Sequence, residues 1–330
     1  MRRVAVLGLG NWGTALAHHL ARKGNEVLGW SVQPEVVEGI NRKRRNPVAL
    51  SDFELSPSFK ATLNLEETFD YDYVVMVLPS RALDDVVPRL KLNPSTILVS
   101  AIKGMELKHL MTPLQFAEKY LPTPVRMAVL SGPSFARDIV AQRPSGVVAA
   151  SKQEEVALAV AELFTSDCMK VYISTDPLGV ELGGIVKNIV AIAAGVSDGL
   201  GLGDSARAGL ITRGLAEMVR FAEAFGAHRM TLFGLSGLGD LAMTASSDLS
   251  RNRTVGIRLG QGELLPDIVK SLGSVAEGVV TAPLILELAK KHGIEMPITY
   301  HVVELVEGRD SPTNMVKALI GRPIKREFTV

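Results

Sequence analysis

Through the first half of the chain, short runs that are apolar at nearly every position alternate with longer segments of helical period. Residues 4–7, 26–30, 73–78, 96–100, 126–130, 146–150 and 170–173 read as strands. Between them, residues 13–23, 34–44, 81–90, 107–121, 134–141 and 153–164 carry apolar side chains at helical spacing. Strands without polar alternation are buried on both faces, so the pattern predicts a largely parallel sheet covered by helices on both sides. Ligands in such sheets bind beyond the carboxyl ends of the strands. Turn signals at those ends (Pro79-Ser80, Lys103-Gly104 and Ser131-Gly132-Pro133) nominate three loops that line one crevice.

After about residue 176 the strand-like runs stop. Residues 181–196, 205–225, 253–260, 281–292, 297–306 and 311–319 have helical patterns, most of them ended by Gly or Pro. The predicted class is therefore α/β. A sheet-containing N-terminal domain covers residues 1–176, and an all-α domain covers residues 177–330.

Composition narrows the partners. The chain has 330 residues, 47% hydrophobic and 22% charged, with a net charge of +1. Nothing in that balance points to nucleic acid. One cysteine, Cys168, rules out an intrachain disulfide and a cysteine-based zinc cluster, and a reducing cytoplasm is expected. The six histidines show no metal-ligand spacing. No apolar stretch is expected to approach a membrane span. The basic run Arg42-Lys43-Arg44-Arg45 reads as a solvated helix end.

The first apolar run feeds directly into Gly8-Leu9-Gly10-Asn11-Trp12-Gly13. In a strand–loop–helix context each glycine has a mechanical task. Gly8 permits a tight turn, Gly10 admits a pyrophosphate, and Gly13 allows close helix packing. The helix N-terminus then aims N–H groups at the phosphates. This predicts a dinucleotide-binding unit.

In the second half, the segment from Glu181 to Val196 is apolar nearly all round and is expected to be buried. Lys187 and Asn188 are anomalies within it. A buried ammonium needs partners or a depressed pKa; a lysine snorkelling to the surface is the alternative. Gly183-Gly184 would admit a cofactor ring or another helix. Asp240, after Gly237-Leu238-Gly239, is either a helix N-cap or the partner of a catalytic cation. Ser250-Arg251-Asn252 at a helix start suits a cap or a phosphate.

Together these strings resemble the NAD(P)-dependent glycerol-3-phosphate dehydrogenases. The resemblance runs through Gly8 to Ala15, Ala101-Ile102-Lys103-Gly104, Ser131 to Ala136, Gly183 to Asn188, Gly199 to Asp204, Leu210 to Gly214, Gly237 to Asp240, Ser250 to Asn252 and Val275 to Gly278. The motifs keep the family's order and span essentially the whole chain.

The resemblance implies a Rossmann-like N-terminal domain and a C-terminal domain like that of 6-phosphogluconate dehydrogenase. It implies reversible oxidation of sn-glycerol 3-phosphate to dihydroxyacetone phosphate, feeding phospholipid synthesis, in a homodimer. By matching positions, Lys187 and Asp240 look catalytic. Lys103, Gly132, Ser134, Lys187, Asp240, Ser250, Arg251 and Asn252 look like substrate contacts. Gly8, Gly10, Asn11, Trp12, Gly13, Lys103, Ala136, Arg251, Val275 and Glu277 look like cofactor contacts.

A free lysine, with a pKa of roughly 10.4, must be shifted down to act as a base near neutrality. Burial and neighbouring positive charge both push that way. Cofactor choice is less defined. NAD sites carry an acidic residue at the tip of the second strand, roughly 20 residues after the glycines. Here that stretch reads Trp30-Ser31-Val32-Gln33-Pro34-Glu35, which favours NADP or dual use. The segment 48–59 also departs from the family's Tyr-Leu-Pro pattern. A β-hydroxyacid dehydrogenase of the same architecture and a non-catalytic nucleotide sensor are the rival readings.

Overall fold

The first strand shows why the runs are apolar at every position. In the computed structural model, which describes residues 1–273, 275–324, 326 and 327, β1 (Arg3–Leu7) sends Val4 and Val6 into one apolar cluster and Ala5 and Leu7 into another. Side chains alternate across a strand, so each cluster covers one face of the sheet. The other strands are β2 (Glu26–Trp30), β3 (Phe59–Thr62), β4 (Tyr73–Met76), β5 (Ile97–Ser100), β6 (Arg126–Ser131), β7 (Ser145–Ala150) and β8 (Met169–Ser174).

Among the described residues these form one sheet in the order β3-β2-β1-β4-β5-β6-β7-β8. All pairings are parallel except β6 with β7, where Val129 faces Ala150. The first six strands have the order of a Rossmann-like nucleotide-binding sheet, whose direction of winding reverses between β1 and β4.

The helices of this half are α1 (Asn11–Arg22), α2 (Pro34–Lys43), α3 (Leu83–Val86), α4 (Pro113–Tyr120), α5 (Ala136–Val140) and α6 (Glu154–Phe164). After β8 the described residues are helical: α7 (Pro177–Gly199), α8 (Asp204–Ala224), α9 (Arg229–Leu232), α10 (Asp240–Ser246), α11 (Arg251–Gly260), α12 (Leu265–Leu272), α13 (Glu277–Lys291), α14 (Pro297–Val306) and α15 (Pro312–Ile320). By internal packing the chain forms two compact units. One comprises Met1–Ile185 and Phe225–Asp240, and the other Val186–Ala224 and Leu241–Val330.

Several elements differ from the sequence reading. β3 is an additional strand at the sheet edge, where exposed Lys60 breaks the apolar run. The helix expected over 81–90 is split into a short α-helix and 3-10 turns, with Pro88 inside the second of these. The helix expected over 107–121 begins only at Pro113. Upstream, the Glu106 carboxylate accepts the N–H groups of Lys108 (2.7 Å) and His109 (2.8 Å) and holds that stretch as a loop. A capping box of Thr112 and Gln115 then starts α4. The expectation about membrane-length stretches is also corrected. α7 is 23 residues long, and its most apolar window has a mean hydropathy of 1.5, long and apolar enough to cross a bilayer. Its apolar window is wholly buried, as befits a helix covered on all sides by protein.

Candidate active site

The nucleotide end is built at the carboxyl edge of β1. Gly8 has φ +98°, and a Cβ there would lie 2.7 Å from the Val77 carbonyl oxygen. Its N–H donates to Trp30 O at 3.0 Å. A Cβ at Gly13 would collide with the Gly8 carbonyl, so the helix starts in contact with the turn. Gly10 faces open space and is the N-cap of α1, with no side chain capping the helix. Asn11 is exposed, and the buried Trp12 Nε1 has no hydrogen-bond partner among the described residues. An open glycine, uncapped helix N–H groups and an unpartnered indole donor fit a dinucleotide pyrophosphate. At the tip of β2, the Ser31 hydroxyl accepts the Gln33 N–H at 3.2 Å and Val32 is exposed. Glu35 lies in the first turn of α2. In the basic run, Arg42 pairs with Glu38 and Arg44 with Glu54.

Further along the same edge, Lys103 follows β5. Its Nζ donates to Gly132 O at 2.9 Å and to Asp240 Oδ2 at 2.7 Å. Asp240 is fully buried as the first residue of α10 and follows a π-helical turn, Leu235–Gly239. The Gly132 carbonyl also accepts the Ser134 hydroxyl at 3.0 Å, and Ala136 opens α5. Gly183 and Gly184 are approached by the protein itself. A Cβ on Gly183 would lie 2.7 Å from Ser236 O, and one on Gly184 2.9 Å from Ser131 Oγ.

Lys187 belongs to the second compact unit and is buried, not snorkelling. Its Nζ donates to Thr244 Oγ1 at 2.6 Å. The adjacent Asn188 accepts Asn252 Nδ2 on its Oδ1 at 2.9 Å, and Asn252 Oδ1 accepts the Gly278 N–H at 2.9 Å. Ser250 is the N-cap of α11, its hydroxyl accepting the Arg253 N–H at 3.2 Å. Arg251 is the exposed first residue of α11. Glu277 opens α13, with Val275 just before its N-cap. This unit therefore joins the lysine's immediate neighbour to a helix N-terminus bearing Arg251, where N–H donors and a guanidinium suit an anion.

Three residues escaped the sequence reading. Asn46 is fully buried, and its Nδ2 donates to Leu9 O (2.8 Å) and Thr14 Oγ1 (2.9 Å), tying the 46–49 turn to the glycine loop. Thr244 stands four residues after Asp240 in the same helix, the one signal that marked it. Glu181 is buried and accepts the Thr112 hydroxyl at 2.6 Å and the Leu114 N–H at 2.9 Å. Burial pushes its carboxyl up to about 7, against the opposing pull of those two donors.

Comparison with known proteins gives a family for both halves. Residues 3–157 match the family model described as NAD-dependent glycerol-3-phosphate dehydrogenase N-terminus, and residues 176–317 match the corresponding C-terminus model. Glycerol-3-phosphate dehydrogenase [NAD(P)+] of Geobacter sulfurreducens is 47% identical, covering 98% of each chain. The protein of that name from Nitratidesulfovibrio vulgaris is 46% identical, covering 98% of this chain and all of its own (100%). The crystal structure of glycerol-3-phosphate dehydrogenase from Coxiella burnetii superposes with a TM-score of 0.92 at 37% identity, covering 97% of this chain and 99% of that one.

Proposed function

This chain belongs to the NAD-dependent glycerol-3-phosphate dehydrogenase family, and on that premise we propose that it reversibly oxidises sn-glycerol 3-phosphate to dihydroxyacetone phosphate with NAD or NADP. The observation that carries the reading is the Asn188–Asn252 bond, which joins the residue beside Lys187 to the residue beside Arg251. A general base and an anion site are thereby built on one rigid pair of helices. That arrangement suits a small molecule with an oxidisable hydroxyl and a phosphate.

Gly8, Gly10, Gly13, Asn11 and Trp12 hold the pyrophosphate, with Lys103, Ala136, Arg251, Val275 and Glu277 as further cofactor contacts. When bound, the nicotinamide supplies the acceptor for the hydride leaving C2. Lys187, as free amine, takes the proton from the C2 hydroxyl; in the reverse direction its ammonium polarises the carbonyl and returns the proton. Thr244 orients the amine. Ser250, Arg251 and Asn252 take the phosphate, and Lys103, Gly132, Ser134 and Asp240 complete the substrate contacts. Asp240, paired with Lys103, holds that cation in place.

The absence of a carboxylate at the β2 tip supports use of both cofactors. The end of the last strand at Ser174 supports a functional division near residue 176. A reducing cytoplasmic setting is supported by the lone free Cys168. A homodimer and a role in making the glycerol phosphate of phospholipids rest on the family alone. The test is to follow NADH and NADPH absorbance with dihydroxyacetone phosphate. Oxidation of either supports the proposal. Oxidation only with a 3-hydroxy acid precursor assigns the chain to the β-hydroxyacid group, and none with either makes it a sensor.

A further inference from the structure

We infer that Arg253 is a positioning residue for the phosphate end of the substrate and acts through Asp198. The inference rests on the assignment of Ser250, Arg251 and Asn252 to the phosphate. Arg253 is charged, yet only 9% exposed. Its Nε and Nη2 both donate to Asp198 Oδ2, at 2.8 and 2.7 Å. Its Nη1 donates to Asp248 Oδ1 at 2.6 Å, in the loop leading to the Ser250 cap. Asp198 stands near the end of α7, and its other oxygen accepts Arg207 Nη1 from α8 at 2.8 Å. One guanidinium therefore ties together the loop before α11, the first turn of α11 and the helix that carries Lys187.

The backbone around Arg253 reinforces the tie. Its N–H donates to the Ser250 hydroxyl at 3.2 Å. Its carbonyl lies so close to Gly195 that a Cβ there would collide with it. Gly195 and Asp198 are one helical turn apart, on the same face of α7. Further along α11, Gly256 lies equally close to the Ile192 carbonyl. The two helices thus touch backbone to backbone, and the Arg253–Asp198 pair locks the end of that contact nearest the phosphate contacts. A planar guanidinium holds two nitrogens on one carboxylate oxygen in a fixed geometry that an ammonium does not reproduce. Small displacements of a bound group are costly to catalysis, so the position of the α11 N-terminus matters as much as its charge.

The test compares dihydroxyacetone phosphate with dihydroxyacetone, which lacks only the phosphate. The variants are Asp198→Asn and Arg253→Lys, with Arg251→Ala beside them. Each of the first two is expected to lower kcat/KM for dihydroxyacetone phosphate about tenfold or more, mainly through KM, while kcat/KM for dihydroxyacetone stays within about threefold. A parallel loss on both substrates, or no loss on either, overturns the positioning role. If Arg251→Ala narrows the preference for the phosphorylated substrate and the other two do not, positioning alone fails. If Arg251→Ala leaves that preference intact, the phosphate assignment fails and takes the inference with it. Arg253→Lys keeps the charge and serves as the second reading should Asp198→Asn lose its fold.

Discussion

Lys187 Nζ donates to the Thr244 hydroxyl at 2.6 Å, with both side chains buried. Because Lys187 donates in this bond, the hydroxyl fixes the direction of the amine. Thr244→Val keeps the shape of the side chain and removes the acceptor. We expect kcat to fall about tenfold to a hundredfold in this variant, with Thr244→Ser near normal. Equal kcat in the valine and serine variants would assign Thr244 to packing alone.

Lys187→Ala should abolish turnover, lowering kcat by about 10²–10⁴-fold, while NADPH still binds. Stopped-flow absorbance and fluorescence titration measure the two separately. Near-normal turnover would sink the assignment of Lys187 as the base.

Arg251→Ala should act chiefly on KM for dihydroxyacetone phosphate. Removing a bidentate contact to a phosphate costs about 1.5–3 kcal/mol, a rise in KM of roughly tenfold or more. Steady-state kinetics at saturating NADPH decide this, and an unchanged KM removes Arg251 from the substrate site.

Asn46→Ala should weaken nucleotide binding without touching the nucleotide contacts. It removes the buried donor to Leu9 O, at a cost of about 1–3 kcal/mol to the folded loop. The expected readouts are a lower Tm and a severalfold higher Kd for NADPH. A Kd equal to that of the unaltered protein would show that the loop keeps its shape without this tie.

Two buried acids make stability depend on pH. Burial pushes the carboxyls of Glu181 and Glu217 up to about 7 from the ordinary 4.5, with the hydrogen bonds each accepts opposing the shift. The native state therefore holds protons that the unfolded chain has released. This stability is full below about pH 4.5 and is lost as pH rises through about 7. For one such group the loss is at most about 3 kcal/mol. His18, pushed down to about 4 chiefly by burial, works in the opposite sense, losing stability as pH falls below its ordinary value toward 4. Glu181→Gln isolates one acid: its unfolding free energy should fall less between pH 5 and pH 8 than that of the unaltered protein. Parallel profiles in urea melts would refute the shift.

The central strands are plain in the sequence because both sheet faces are covered there, so β1, β4 and β5 are apolar nearly throughout. β3 lies at the edge with Lys60 exposed, and its pattern is indistinct from a loop. The loop before α4 carries helix-forming residues. The Glu106 carboxylate takes the N–H groups that a helix there would have used, and the pattern of apolar positions does not register that competition. Within the site, Lys187 stood out because a charge in an apolar helix is conspicuous. Asn46, Thr244 and Arg253 are ordinary polar residues in the sequence. Only their burial and bonding distinguish them, and those depend on partners distant in the chain.

The three glycines of the first loop answer to different masters. A Cβ on Gly8 or Gly13 would run into the protein's own atoms, the Val77 and Gly8 carbonyls, whereas one on Gly10 would meet nothing within 4 Å among the described residues. The folded chain therefore requires Gly8 and Gly13 whether or not a nucleotide is ever bound. Gly10 is guarded only by the ligand. In a descendant that had abandoned its cofactor, Gly10 would be the first of the three to drift, while the other two outlived the activity they once served.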